Sequence, residues 1–204
     1  MKHKFSIFKK HINVSCETLE KLVIYFELLC FWQKKMNLVS NNSLQDAERR
    51  HFIDSAQLYF FCKNLKGNII DFGSGAGFPG AVLSILGASK IFLVESNKKK
   101  CNFLTKLKKE TNSNFYIVNS RIENLEFLEP SLIVSRALTS TKNLLLFSID
   151  HMLKSKKINS KKEAFKNLPN LLFLKGKTFK DELNDIPENL KIKFHTFPSI
   201  TSAE

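Results

Sequence analysis

Along the first part of the chain, apolar residues recur at helical steps. In Cys16–Met36 the residues Leu19, Leu22, Val23, Phe26, Leu29 and Cys30 fall three and four apart, as on one helix face, and Ser15 stands where an N-cap belongs. The polar stretch Asn37–Ser43 ends that pattern. A second helical region is expected over Leu44–Lys63, with Ser43 and Asp46 spaced like a capping box. From residue 68 the pattern changes to short apolar runs: Asn68–Phe72, Lys90–Glu95, Phe115–Asn119, Leu132–Ser135 and Leu171–Leu174. Helical stretches separate them at Pro79–Leu86, Lys98–Lys109, Thr141–Leu153 and, with a poorer pattern, Ile122–Leu128. Strands and helices alternating at this spacing predict an α/β fold, a parallel sheet with helices on both faces. Residues 1–65 read as an N-terminal helical extension and residues 66–204 as the α/β domain. Lys154–Asn167, holding six lysines and one acid, reads as a solvated loop, and Lys191–Phe197 as a sixth strand.

Composition narrows the class. A chain of 204 residues buries enough surface to fold without disulfides or a metal. No apolar run approaches the roughly 18–20 residues of a membrane span, and the basic start MKHKFSIFKKH is too short in apolar residues for a signal peptide. A cytoplasmic protein with no membrane partner is therefore expected, and a monomer, since no heptad or large apolar stripe is left over. Cys16, Cys30, Cys62 and Cys101 form no C-x-x-C pair, so they read as buried reduced thiols rather than a disulfide framework or zinc site. The net charge of +13 points to a polyanionic partner. It is spread evenly, with 15 basic against 8 acidic residues in 1–102 and 17 against 11 beyond. Since 28 of the 32 basic residues are lysine, a coding bias explains much of the excess. The four arginines, Arg49, Arg50, Arg121 and Arg136, escape that bias and carry more information.

The segment Ile69-Ile70-Asp71-Phe72-Gly73-Ser74-Gly75-Ala76-Gly77-Phe78-Pro79-Gly80 carries the candidate chemistry. An apolar strand runs into a turn with glycine at alternate positions, and a helix follows. Such glycines permit positive φ and close approach of a ligand, at the carboxyl edge of the sheet where open α/β folds bind. A P-loop is excluded because Ala81 stands where lysine is required. A dinucleotide fingerprint fits Gly75-x-Gly77-x-x-Gly80, with Glu95 twenty residues on, but begins late relative to the strand and contains Pro79. Asp-x-Gly-x-Gly-x-Gly directly after a strand is instead the pattern of S-adenosylmethionine enzymes, in which turn amides hold the methionine end and no pyrophosphate needs cradling.

Glu95 ends the second strand, where an acid accepts both ribose hydroxyls in either enzyme class. Ser120-Arg121-Ile122-Glu123 follows the third strand at the place of an adenine pocket: Ile122 is placed to cover the ring and Glu123 to meet its amino edge. The fourth strand ends Ser135-Arg136-Ala137. No two prolines are adjacent and no Pro-Cys exists, which argues against exocyclic-amine and cytosine-C5 methylation. An acceptor that is already nucleophilic fits better. Guanine N7 has a free lone pair at neutral pH, so its methylation is a matter of positioning, with an arginine orienting phosphate or base oxygens.

In order along residues 20–177 stand Trp32 with Asn37-Leu38-Val39, Arg50-His51-Phe52-x-Asp54-Ser55, the Asp71–Gly80 turn with its Gly-Phe-Pro-Gly ending, Lys99 and Lys100 with Phe103-Leu104, Ser120-Arg121-x-Glu123, Ser135-Arg136-Ala137 and Leu174-Lys175-Gly176-Lys177. Together these resemble the RsmG (GidB) family of 16S rRNA guanine-N7 methyltransferases. The resemblance implies a Rossmann-like S-adenosylmethionine-dependent methyltransferase fold and methyl transfer to one guanine in the 530 loop of 16S rRNA, on small-subunit particles. It implies Gly73, Phe78, Ile122, Glu123 and Arg136 as cofactor contacts, beside Gly75 and Glu95 from the residues themselves. Asn37, His51 and Arg121 are implied near the cofactor and RNA face, in positioning roles. The family also continues past the sixth strand into a last strand beside the fifth, so that strand is expected to be missing after Phe197-Pro-Ser-Ile-Thr-Ser-Ala-Glu204. Two alternatives stay open: an RNA- or ribosome-binding protein with decayed catalysis, and an NAD-dependent oxidoreductase.

Overall fold

The computed structural model describes residues 5–88, 90–176, 178–187, 190 and 193–201. Five strands, β1 (Asn68–Phe72), β2 (Ile91–Val94), β3 (Phe115–Val118), β4 (Pro130–Arg136) and β5 (Asn170–Leu174), form one sheet in the order β3-β2-β1-β4-β5. Every pairing is parallel. β1 is central and nearly all buried, as expected of a parallel strand covered on both faces. The chain goes from β1 to β2 on one side and later to β4 on the other. That reversal opens a crevice at the carboxyl ends of β1 and β4.

Alternate residues of the strands face two cores. Ile69, Ile91, Leu93, Leu132 and Val134 join a cluster with Phe8, Leu22, Leu29, Phe52, Leu83 and Leu104. Ile70, Phe72, Val94 and Ile133 face the other way, with Leu125. The first core is built by α1 (Ser6–His11), α2 (Cys16–Gln33), α6 (Gly80–Ile85) and α7 (Lys98–Thr111). The second face carries α8 (Thr141–Leu153), which packs on α9 (Lys161–Lys166) and α10 (Phe179–Asn184). Ser15 caps α2 by accepting the Thr18 N–H at 3.1 Å, as the sequence led one to expect. No helix among the described residues is long and apolar enough to cross a membrane.

Several sequence expectations are corrected. The region Leu44–Lys63 is not one helix. It breaks into α3 (Asn41–Gln45), a π-helical turn over Glu48–Ile53, α4 (Asp54–Ala56) and α5 (Tyr59–Cys62). Ser40, not Ser43, is its cap. The expected helix Ile122–Leu128 is one 3-10 turn, Ile122–Asn124. Lys154–Asn167 holds α9, capped by Ser160 and anchored by fully buried Ala164. Residues 193–197 of the expected sixth strand lie in no strand, and 191–192 fall outside the described residues. Residues 193–198, KFHTFP, leave both phenylalanines, Phe194 and Phe197, exposed and end in a proline that cannot donate to a ladder. Of the cysteines, Cys62 and Cys101 are buried, but Cys30 is only half-buried and Cys16 is exposed in the first turn of α2; none of the four is in a disulfide.

The first core turns on Phe52, fully buried and edge-on to Phe5, Tyr25, Phe26 and Phe78. Phe52→Ala is expected to cost about 3–5 kcal/mol through the cavity it leaves. Urea unfolding followed by circular dichroism checks this; a midpoint equal to wild type would show that the core closes over the gap.

Candidate active site

A cleft of about 730 Å³ opens at the carboxyl ends of the strands, within the size range of small-ligand sites. Its floor is the turn after β1. Gly75 adopts φ +56, and a Cβ built there would meet only the Gly73 carbonyl, at 3.8 Å, so its backbone is open to a ligand. Gly80 is needed for another reason: a Cβ would fall 2.3 Å from Leu93 and 2.8 Å from the Asp71 carboxylate. That carboxylate accepts the Gly80 N–H at 2.8 Å. Asp71 is fully buried, and burial pushes its carboxyl up to about 7 against the opposing pull of the Gly80 N–H and Arg136.

Most of the turn's amides are already engaged. Ser74 N–H donates to the Val94 carbonyl, the N–H groups of Gly77 and Phe78 to the Ser74 carbonyl, and Gly75 N–H to Glu95 Oε2 at 2.9 Å. The sequence reading has turn amides holding the ligand; the turn also offers a preformed backbone surface and the edge of Glu95. The second Glu95 oxygen takes the Asn97 N–H at 2.7 Å. Each oxygen keeps a lone pair for an incoming hydroxyl.

The wall opposite comes from the N-terminal helices. Arg136, at the end of β4, donates through Nη2 to His51 Nδ1, and His51 Nε2 lies 3.0 Å from Ser43 Oγ. Because a guanidinium only donates, Nδ1 accepts and the ring proton sits on Nε2, pointing to Ser43. The Ser43 hydroxyl donates in turn to the Ser40 carbonyl at 2.8 Å. Burial first, then Arg136 and Arg50, hold the His51 pKa down at about 3. The imidazole is therefore neutral, with both nitrogens engaged. It stacks on Phe78 at 4.9 Å, and Phe78 stacks on Tyr25 at 5.0 Å. Tyr25 donates its hydroxyl to the Ala76 carbonyl, tying α2 to the turn. Arg136 lies 5.6 Å from the Phe78 ring centroid, and burial works against its charge while Asp54 favours it. Its Nη1 and the Ser74 hydroxyl are buried at the cleft without a hydrogen-bond partner.

Gly73, Gly75, Phe78, Glu95, Arg121, Ile122, Glu123, Arg136 and His51 all line this one cleft. Asn37 does not: it is exposed past the end of α2, while Leu38 and Val39 beside it form the lining. Three of the four arginines, Arg50, Arg121 and Arg136, meet here with Lys100. Sequence reasoning missed Ser43, which it used as a cap, and Tyr25, which lies on the apolar face of α2 and gave no separate signal.

The GidB family, described as rRNA small subunit methyltransferase G, matches residues 18–203. The chain belongs to this family. It is similar to the ribosomal RNA small subunit methyltransferase G of Paramagnetospirillum magneticum, 36% identical over 189 residues covering 93% of this chain and 86% of that protein. The protein of the same name from Rickettsia prowazekii is 34% identical over 190 residues, covering 93% and 92%. Among solved structures, magnesium protoporphyrin IX methyltransferase from Synechocystis aligns over 71% of this chain and 74% of its own at 12% identity, with a TM-score of 0.48. The family motifs quoted from the sequence thus supply the floor, the Arg136 wall and the 3-10 turn of the cleft.

His51 makes stability depend on pH in a defined direction. Its pKa falls from 6.5 to about 3 on folding, so between those values the unfolded chain binds the extra proton and acid favours unfolding. His51→Gln removes that dependence. The stability gap between wild type and variant is expected to narrow as pH falls from 6.5 towards 4, read as urea midpoints of both proteins; parallel pH curves would contradict the neutral, buried ring.

Proposed function

We propose that the chain transfers the methyl group of S-adenosylmethionine to N7 of a guanine in the 530 loop of 16S rRNA, on small-subunit particles. Family membership carries the coarser statement: the chain is an S-adenosylmethionine-dependent methyltransferase of small-subunit ribosomal RNA. The observation that carries the finer reading is the commitment of both His51 nitrogens, to Arg136 and to Ser43. With no imidazole free to take a proton, the cleft suits an acceptor that needs no base, and guanine N7 is one.

The residues fit the cofactor. The cleft volume suits a nucleoside-sized ligand, Gly75 leaves its backbone open, and Glu95 keeps acceptor capacity for a ribose diol. We assign Gly73, Gly75 and Phe78 to the amino-acid end, Glu95 to the ribose, and Ile122 with Glu123 to the adenine. Arg136, with Nη1 unengaged, supplies a donor for a carboxylate or base oxygen. When bound, S-adenosylmethionine supplies an electrophilic methyl on a sulfonium. The chain's own contribution is orientation: Arg50, Lys100 and Arg121 come from three separate segments to the cleft, where cations hold RNA phosphates. His51 holds Arg136 in place. Asn37, exposed at the same end, is assigned to the RNA side. We further propose that the protein acts as a monomer in the cytoplasm, where small subunits are assembled.

The deciding experiment is transfer of labelled methyl to small subunits from a methylation-deficient strain, followed by mapping of the modified nucleotide. Label at a guanine N7 in the 530 loop is the expected result. Salt-sensitive RNA binding without transfer would leave a binding protein instead. A melting temperature raised by NADH and not by S-adenosylmethionine would point to an oxidoreductase.

Two substitutions separate the roles. Glu95→Ala is expected to weaken S-adenosylmethionine binding by about tenfold or more in calorimetry, through loss of charge-assisted hydrogen bonds. Arg121→Ala is expected to lower transfer to subunits by about tenfold while cofactor affinity stays within about twofold. Unchanged cofactor affinity in the Glu95 variant would remove the ribose assignment.

A further inference from the structure

Behind the cleft, the segment 121–129 has little structure of its own. Apart from the single 3-10 turn at Ile122–Asn124 it runs irregularly into β4, so its carbonyls and amides need partners from elsewhere. Lys154, the residue that closes α8, provides two of them. Its ammonium donates to the Glu123 carbonyl at 2.6 Å and to the Leu125 carbonyl at 2.7 Å. Three residues earlier, and so on the same side of the helix, buried His151 accepts the Leu128 N–H through Nε2 at 3.4 Å. The His151 ring is held by Phe72 and Phe127.

The turn these side chains fasten is a thin partition. A small cavity of about 90 Å³ lies behind it, lined by Ile122, Glu123, Phe147, Asp150, His151 and Lys154. Ile122, Glu123 and Phe147 also line the large cleft in front. Ile122 and Leu125 rest on the second core, but a wall with a cleft on one side and a void on the other is not set by packing alone, and its position depends also on the bonds that hold it. A lysine suits the task, since three rotatable donors on a flexible stem reach two carbonyls of one turn. Its place at the carboxyl end of α8 also favours a cation.

We propose that Lys154 is a positioning residue for the cofactor, bridging the carbonyls of Glu123 and Leu125 to fix the wall that Ile122 and Glu123 present to the adenine. The inference rests on the assignment of that turn to the adenine. It also gives a role to one residue of the lysine-rich run 154–167.

The test is calorimetric titration of the full chain with S-adenosylmethionine, without RNA, alongside steady-state kinetics on small subunits. Lys154→Met is compared with Lys154→Arg and with Lys156→Met, an exposed lysine of the same run. Lys154→Met is expected to weaken cofactor binding about five- to tenfold through loss of two charge-assisted hydrogen bonds. KM for S-adenosylmethionine should rise in step, with kcat and KM for subunits nearly unchanged. Lys154→Arg should recover part of the loss, and Lys156→Met should match wild type. Wild-type affinity in Lys154→Met overturns the proposal alone. A uniform fall in affinity, kcat and melting temperature overturns it too, by making Lys154 a general stabiliser. If wild type itself takes up no S-adenosylmethionine, the reading of the cleft fails and the proposal falls with it.

Discussion

The hydrogen bond from Arg136 to His51 joins the two halves of the cleft, and much of the rest is arranged to permit it. A guanidinium at the end of a buried strand is costly unless it is paired. Here a neutral imidazole from the helical segment takes one donor, Asp54 and Asp71 add favourable charge, and an aromatic face lies alongside. The imidazole can accept only because its own proton is turned away to Ser43. Thus Ser40 and Ser43, far from β4 in sequence, set the orientation of the guanidinium that lines the cleft. The Arg-His-x-x-Asp-Ser block and the Ser-Arg-Ala block are two ends of one contact.

The glycine turn obeys a similar logic. Most of its N–H groups are satisfied by Val94, Glu95, Asp71 and the turn's own Ser74 carbonyl. The loop therefore holds its shape without depending on a ligand's hydrogen bonds, and little ordering cost is left for the moment of binding. Glu95 serves twice, fixing the turn and keeping acceptor capacity on its remaining lone pairs. Tyr25 and Phe78 carry that rigidity across to α2.

What was legible in the sequence follows from how local each signal is. The five strands are short apolar runs, and all five stand where those runs lie. Ser15 acts within one turn of its own position. The region after Leu44 was misread because a π-helical turn has no pattern in a single sequence that separates it from an ordinary helix. That turn carries Arg50 to the rim and His51 into the core. Lys191–Phe197 alternates like a strand, yet alternation cannot say whether a neighbouring strand offers a free ladder. In the cleft, the glycines, Glu95 and the arginines were legible because their residue types are unusual at those points. Ser43 and Tyr25 were not: a serine near a helix start and a tyrosine on an apolar face have ordinary local explanations, and their partners lie 8 and 51 positions away.

The first core has a consequence for synthesis. Phe8, Leu22, Leu29 and Phe52 emerge from the ribosome well before Leu83, Leu93 and Leu104, against which they close. At about 5–20 residues per second, the leading helices spend seconds with their greasy sides uncovered. The nascent chain must either fold back on itself in the meantime or be shielded, so the front segment cannot mature as an independent unit. Its shape is completed only when the central strand and the helices after it arrive to receive it.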